Sequence, residues 1–356
     1  MDNRTRIINT VLGKSVDRRP NFCVFGLWGG VEAQWQREGM EGAWQQALGF
    51  DEGFEIIDVN LGYLPAFEYK VIEDRGETRI IQDERGVLQQ IRTDYGTVPR
   101  FLDFPVKDEA DWERLKARLD PDDPKRFPAD WDQKCLHYEN THAALQLGSW
   151  PYGLFGTLRE MMGVENLLVA FYDMPELIHE MMDYLTDFWI AIYQKVARRV
   201  RIDMVHMWED MSGKTGPLIS PAMIREFMVP NYRKIAGFAE KNNIPIFSVD
   251  TDGDCSLLAE PFMEGGVNML MPMEVQAGCD VREYARRWPG LCVAGGFDKR
   301  CMWTSEAAMD AEFERLSPMA REGVRYILSP DHLIPPEVSF AHMRHYAARA
   351  RAWAGI

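Results

Sequence analysis

The chain has 356 residues, 46% of them hydrophobic and 27% charged, with a formal net charge of −15. That is enough apolar material for one large folded domain, and the acidic balance argues against nucleic acid, whose phosphates need a basic face, and against an anionic membrane surface. The opening MDNRTRIINTVLGKS has no apolar leader, no run approaches the roughly 18 residues of a membrane span, and six scattered cysteines without a CxxC suit reduced thiols in the cytoplasm.

Eight short apolar runs, each ending in polar residues or glycine, predict strands. In chain order they are NFCVFGLW (21–28), FEIIDVNL (54–61), AALQLGSW (143–150), MVHMWED (204–210), PIFSVD (245–250), VNMLMPME (267–274), LCVAGGFD (291–298) and RYILSPD (325–331). The stretches between them have helical spacing. Asp173 and Pro175 supply a cap and a first helical position, Ser220 and Pro221 another pair, and Thr304 or Ser305 a third start. Residues 68–100 carry hairpin chemistry, with turns at Arg75-Gly76 and Arg85-Gly86. Residues 106–134 are polar and rich in Asp and Pro, so an insertion over about 68–135 follows the second strand. Strands alternating with helices make a parallel sheet. Eight such units predict an α/β fold, a (β/α)8 TIM barrel spanning residues 1–356 as one domain. No GxGxxG follows an early strand, and GLWGG at 26–30 is not that pattern, which disfavours a doubly wound sheet.

Barrels of this kind build their sites at the C-terminal ends of the strands. Those ends carry Trp28; Asp58 and Asn60; Trp150; Glu209 and Asp210; Asp250, Asp252 and Asp254; Glu274; Asp298 and Lys299; and Asp331 and His332. An acidic rim is therefore expected around one small-molecule cavity. Trp28, Asn60, Trp150, Glu209, Asp210, Glu274, Asp298 and Lys299 are expected to line it. The run PIFSVDTDGDCS places three carboxylates within five residues, and like charges at that distance repel. Four things offset such repulsion: a divalent metal, a cationic substrate, protonation of one acid as a general acid, or capping of backbone amides. Asp254, just before SLLAEPFMEGG, suits capping. Strand alternation points Asp250 and Asp252 to one side and Thr251 to the other. His332, beside Asp331, suits a proton carrier or metal ligand. His206 reads as core, and His342 and His345 as surface positions of the last helix.

The succession FGTLREMMGVENLLVAFYDMPELI, MWEDMSGKTGPLISPAMIREFMVPNY, GGFDKRCM and SPDHLIPPEVS resembles the uroporphyrinogen decarboxylase superfamily, from about residue 20 to the end. That superfamily also holds zinc-dependent methyltransferases that move methyl groups between corrinoid proteins and thiols, and it lies near the methionine synthases. The resemblance implies a (β/α)8 barrel, dimeric in many decarboxylases, with its site at the C-terminal face. It sets Asp58 near the decarboxylases' catalytic aspartate and His332 near their histidine. Their arginine-rich, carboxylate-gripping segment is replaced here by GLWGGVEAQWQREG, and an acidic rim repels a polyanionic porphyrinogen. The methyltransferases' zinc-binding His-x-Cys falls on Asp250-Thr251-Asp252, and their last cysteine on His332, so oxygen and nitrogen replace sulfur.

Three functions follow. The leading one is methyl transfer from a small methylated compound toward a corrinoid protein or a thiol. There Asp250, Asp252 and His332 hold a divalent metal, zinc or another, or activate the leaving group. The second is cofactor-independent decarboxylation, with Asp58 stabilising a developing cation and His332 delivering a proton. The third is ligand binding without catalysis.

Overall fold

A computed structural model describes residues 1–93 and 98–356. Seven parallel strands form the main sheet in chain order: β1 (Phe54–Ile56), β2 (Ala144–Leu147), β3 (Met204–Trp208), β4 (Ile246–Asp250), β5 (Met269–Met273), β6 (Cys292–Phe297) and β7 (Tyr326–Pro330). Five helices matter to the site: α1 (Asn3–Val11), α2 (Leu154–Met162), α3 (Pro175–Ala197), α4 (Val229–Lys241) and α5 (Phe340–Ala354).

Period-2 alternation splits each strand's side chains into two sets. Val205, Phe247, Leu270, Val293 and Leu328 face outward and pack with the helices. Ala144, Met204, Ile246, Met269, Cys292 and Ile327 meet in a separate interior cluster with Phe22, joined by Ile7 and Val11 of α1. Strands from both ends of the sheet contribute to that one cluster, so the sheet is curled, and α1 closes its floor. Two residues further along the strands the interior turns polar. His206 Nδ1 lies 2.8 Å from Ser248 Oγ, and Ser329 Oγ accepts the Val24 amide at 3.0 Å. Two residues further still come Trp208, Asp250 and Asp331. The interior thus passes from hydrocarbon through imidazole and hydroxyl to carboxylate.

The expected first strand, residues 21–28, is not a strand. It runs between β7 and β1 and meets the chain after β7 only at a Leu27–Ile334 bridge. Two of its amides go to side chains, Asn21 to Asp51 and Val24 to Ser329, and that of Trp28 makes one of the two bridge bonds with Ile334. The eight-stranded barrel expected from the sequence is therefore a seven-stranded curled sheet among the described residues. The second expected strand stops at Ile56, because the Asp58 amide turns aside to the Tyr138 hydroxyl.

Between β1 and β2 stands a four-stranded antiparallel sheet of Lys70–Asp74, Thr78–Gln82, Leu88–Arg92 and Arg100–Asp103. It turns at Gly76 and Gly86, both with positive φ. Residues 94–97 of the expected hairpin stretch lie outside the described residues. Buried Arg126 fastens the loop after β1, donating to the carbonyls of Asn60, Gly62, Arg118 and Asp120.

Helix α2 lies directly on β3. A Cβ at Gly153 or Gly156 would run into the Trp208 carbonyl oxygen. Gly156→Ala is expected to push the helix off the sheet and cost about 3 kcal/mol, read as a lowered urea midpoint. All six cysteines are free. Among the described residues no helix is long and apolar enough to cross a membrane.

Candidate active site

The three aspartates after β4 diverge, and each meets a different partner. Asp250, the last residue of β4, points into the curled sheet, its Oδ2 4.0 Å from His206 Nε2. Asp252 reaches across the mouth, Oδ1 3.4 Å from Nε2 of His332. Asp254 turns back and accepts the Ser256 amide at 2.9 Å. Between them Thr251 points the other way, buried, its hydroxyl accepting the Met211 amide. Gly253 has φ +81° and lies so close to Ser212 that a Cβ would strike its backbone. Its amide donates to Glu274 at 2.9 Å, which pins the loop.

Electrostatics separates these acids. Burial, followed by the charges of Asp252, Asp210 and Glu274, pushes the Asp250 carboxyl well above the usual carboxylate range. Burial depresses His206 to about 4, so this imidazole is neutral at physiological pH. Asp250 thus holds its proton more tightly than an ordinary carboxyl, the property a general acid needs. Asp210 is raised by burial as well, against the pull of the Arg159 guanidinium, which pairs with its carboxylate. His332 stacks on Phe25, ring centroids 5.3 Å apart. Its Nδ1 accepts the Leu333 amide at 2.7 Å, so the ring proton sits on Nε2 and faces Asp252. Trp150 and Trp208 stand edge to face at 6.3 Å on the β2–β3 side.

The structure brings together Asp210, Asp250, Asp252, Glu274 and His332, with the exposed Trp150 beside Trp208 at their edge, while Trp28 is exposed and tied to Ile334 through its backbone. It leaves others out. Asp58 is exposed and paired with Lys134 at 3.1 Å, away from the mouth, because the strand ends two residues before it. Glu209 is fully buried behind the sheet. Its carboxylate accepts the amides of Leu154, Phe155 and Gly156 at the start of α2 and the Tyr232 hydroxyl. It anchors a helix and does not line a pocket. Asp298 is taken up by the amide and guanidinium of Arg300, while the Lys299 side chain lies near Asp331. Asp331 itself accepts the amides of Val275 and Lys299, tying two rim loops together. Asn60 accepts the Gly62 amide and lines a cavity beside the mouth.

Two participants escape a residue-by-residue reading of strand ends. Arg159 comes from a helix, three residues past Gly156, and reaches Asp210 only because α2 lies so close to β3. His206 belongs to the same interior row as Ser248, and the shared alternation Met-His-Trp and Ile-Ser-Asp is its sequence signal. As a metal centre the trio Asp250, Asp252 and His332 does not converge. Asp250 turns toward His206 while Asp252 pairs with His332. Among the described residues no three His, Cys, Asp or Glu side chains are grouped to hold an ion. The donor set does not fit a resident metal in this arrangement.

The model of the uroporphyrinogen decarboxylase (URO-D) family matches residues 85–353, well over half of the chain. The protein belongs to the URO-D family. Among solved structures, a methyltransferase from Methanosarcina mazei superimposes with a TM-score of 0.64 at 14% identity, covering 99% of each chain. At that identity the likeness speaks for the fold alone. A 3-keto-L-gulonate-6-phosphate decarboxylase from Vibrio cholerae aligns over 63% of this chain and 88% of its own, at 9% identity and a TM-score of 0.26, too low to carry an argument. No curated protein is significantly similar to the chain. Membership in this family is consistent with an enzyme and with a site at the mouth of the curled sheet.

Proposed function

We propose that this URO-D family protein transfers a methyl group from a small methylated compound, an ether or an amine, to a corrinoid protein or a thiol. The observation that carries this reading is Asp250, its carboxyl held above the usual carboxylate range, at the centre of an acidic, aromatic-walled mouth. Methyl transfer breaks the bond between the methyl carbon and its heteroatom, and the bonding pair stays on the heteroatom. That atom leaves far more readily when it receives a proton as the bond breaks. Asp250 supplies the proton, and the His206 imidazole lies beneath it, 4.0 Å away. His332, its Nε2 proton aimed at Asp252, orients the heteroatom. The acceptor supplies the nucleophile.

The balance of charge supports this reading over decarboxylation. A decarboxylase has to seat a carboxylate, and four acids at the mouth face one arginine that Asp210 already occupies. Asp58, the decarboxylase-type aspartate, lies outside the mouth.

The test is to incubate the protein with reduced cobalamin and a panel of methyl ethers and methylated amines, following the methylated product by absorbance. Turnover with at least one donor is expected, and His332→Gln should lower it by about 10–100-fold. A chelator should leave the rate unchanged, since no donor set for a resident ion is assembled among the described residues. Failure of every donor, together with carbon dioxide release from a carboxylated one, would sink the proposal.

A further inference from the structure

Beside the mouth lies a cavity of about 480 Å³ between the antiparallel sheet and the α2–α3 face. That size falls within the roughly 300–1,000 Å³ of small-molecule sites. Four of the aromatic side chains that line it keep accessible surface. Tyr63 and Tyr152 are partly buried, and Tyr69 and Trp150 are exposed. The lining is otherwise mainly apolar.

The charges of the lining do not balance. Asp83, Glu84 and Glu160 are acids, and among the described residues Arg85 is the one base. Its guanidinium donates to Asp83 at 2.6 and 2.9 Å and pairs with Glu160. Burial raises the Glu160 carboxyl, against the pull of Arg85. Asp83 and Glu84 alone outnumber the guanidinium, so the lining stays negative whether or not Glu160 holds a proton. An anionic ligand meets repulsion there, and a cation is drawn in.

Arg85 also shows what these rings do with a cation. Its guanidinium lies over the Trp150 ring, 4.9 Å from the centroid, within cation–π reach. Tyr63 sits in the field of Asp83, Glu160, Arg85 and Tyr152, and burial pushes its hydroxyl far above the usual range, so the phenol stays neutral. A bare metal ion is poorly served, since it needs several converging ligands. Among the described residues no three His, Cys, Asp or Glu side chains converge. A cation with an apolar body suits the same walls.

We infer that this cavity binds an organic ammonium ion, an amine carrying alkyl or aryl substituents, with its charged nitrogen among the rings of Tyr63, Tyr69 and Tyr152 and its substituents on the apolar lining. The ligand is a guest of this cavity and not the atom that Asp250 protonates. The inference therefore goes beyond the methyl-transfer reading and does not rest on it.

The test titrates three probes of one shape into the whole protein by calorimetry and tryptophan fluorescence. They are choline, its uncharged carbon isostere 3,3-dimethylbutan-1-ol, and the anion 3,3-dimethylbutanoate. Choline should bind one to one, about tenfold or more tighter than either of the others, and its affinity should fall as salt rises. Tyr69→Leu, at an exposed position, should weaken choline about three- to tenfold, whereas Tyr69→Phe keeps the ring and should stay within about twofold. Ala66→Trp fills the cavity from an exposed lip position and should weaken choline by about tenfold or more. Equal affinity for choline and the alcohol, tighter binding of the anion, no binding of choline at millimolar concentrations, or binding indifferent to both Tyr69→Leu and Ala66→Trp would each overturn the inference. Asp250→Asn should leave the choline affinity within about twofold; a larger change would put the cation in the acidic mouth and overturn the inference too. Choline binding that behaves as expected while no methyl transfer is found would reject the reaction and keep the cavity's ligand class.

Discussion

Asp250→Asn is expected to give a folded protein whose turnover falls by about 10²–10⁴-fold, the contribution of a well-placed general acid. Asparagine keeps the shape and can still hydrogen-bond, but it carries no acidic proton. It also stays uncharged at every pH, so the repulsion with Asp252, Asp210 and Glu274 that burdens an ionised Asp250 at high pH does not arise. The variant should therefore be as stable as the wild type or more so, which separates lost chemistry from lost fold. The pH dependence has a definite sign. A carboxyl whose folded pKa is raised binds its proton more tightly when folded, so its contribution to stability is full below the unfolded value and is lost as pH rises through the folded one. Wild-type stability should fall with rising pH over that window, and the Asp250→Asn curve should be flatter. Activity has the same alkaline limb, because only the protonated carboxyl can donate. Thermal midpoints and kcat/KM across pH, measured on both proteins, check the two statements together. An unchanged kcat in Asp250→Asn would remove the acid from the mechanism.

The second large effect is structural. Glu209→Ala should cost about 4 kcal/mol, since it strands three backbone N–H groups and the Tyr232 hydroxyl in a fully buried site. Glu209→Gln should cost about half as much. Its amide nitrogen can donate to Tyr232 but must then face the Leu154 N–H. Burial outweighs these four bonds enough to raise the Glu209 carboxyl to about 7. Its folded pKa exceeds its unfolded one, so this group's share of stability, on the order of 3 kcal/mol by the size of the shift, declines as pH climbs from about 4.5 through 7. Urea unfolding at pH 5.5 and 8 should show that decline in the wild type and lose it in Glu209→Gln. Because α2 carries Arg159 and Glu160, loosening its first turn should also release the Asp210 and Arg85 pairs.

Much of this architecture is legible in the sequence, for reasons that can be named. Seven of the eight apolar runs are strands; six of them are buried along almost their whole length, and Phe54–Ile56 at the sheet's edge is partly exposed. The eighth, NFCVFGLW, has the same composition, but Asp51 and Ser329 capture two of its amides, and those partners lie about 30 and 300 residues away. Asp250, Asp252, Asp210, Glu274 and His332 are found by position, since strand ends in a curled sheet converge. Asp58 and Glu209 mislead the same rule. One lies past a strand that stops early, and the other points through the sheet to a helix end. A strand end fixes where a residue's backbone is; whether its side chain turns inward depends on a single step of the pleat. Arg159 lies beyond the rule altogether, because the helix that carries it reaches Asp210 through tertiary packing alone.

The junction of residues 21–28 with β7 gives the fold a preferred place to breathe. Parting β3 from β4 breaks a five-residue ladder, whereas parting Leu27 from Ile334 breaks a bridge of two backbone bonds, Ile334 to Gly26 and Trp28 to Ile334. Local opening follows the cheapest break, well below the free energy of global unfolding. That break lies next to Phe25, whose ring is the stacking surface for His332. Each transient opening would free the imidazole from one side and admit solvent beside Asp252, so the wall's weakest line and the proton-bearing edge of the mouth move as one.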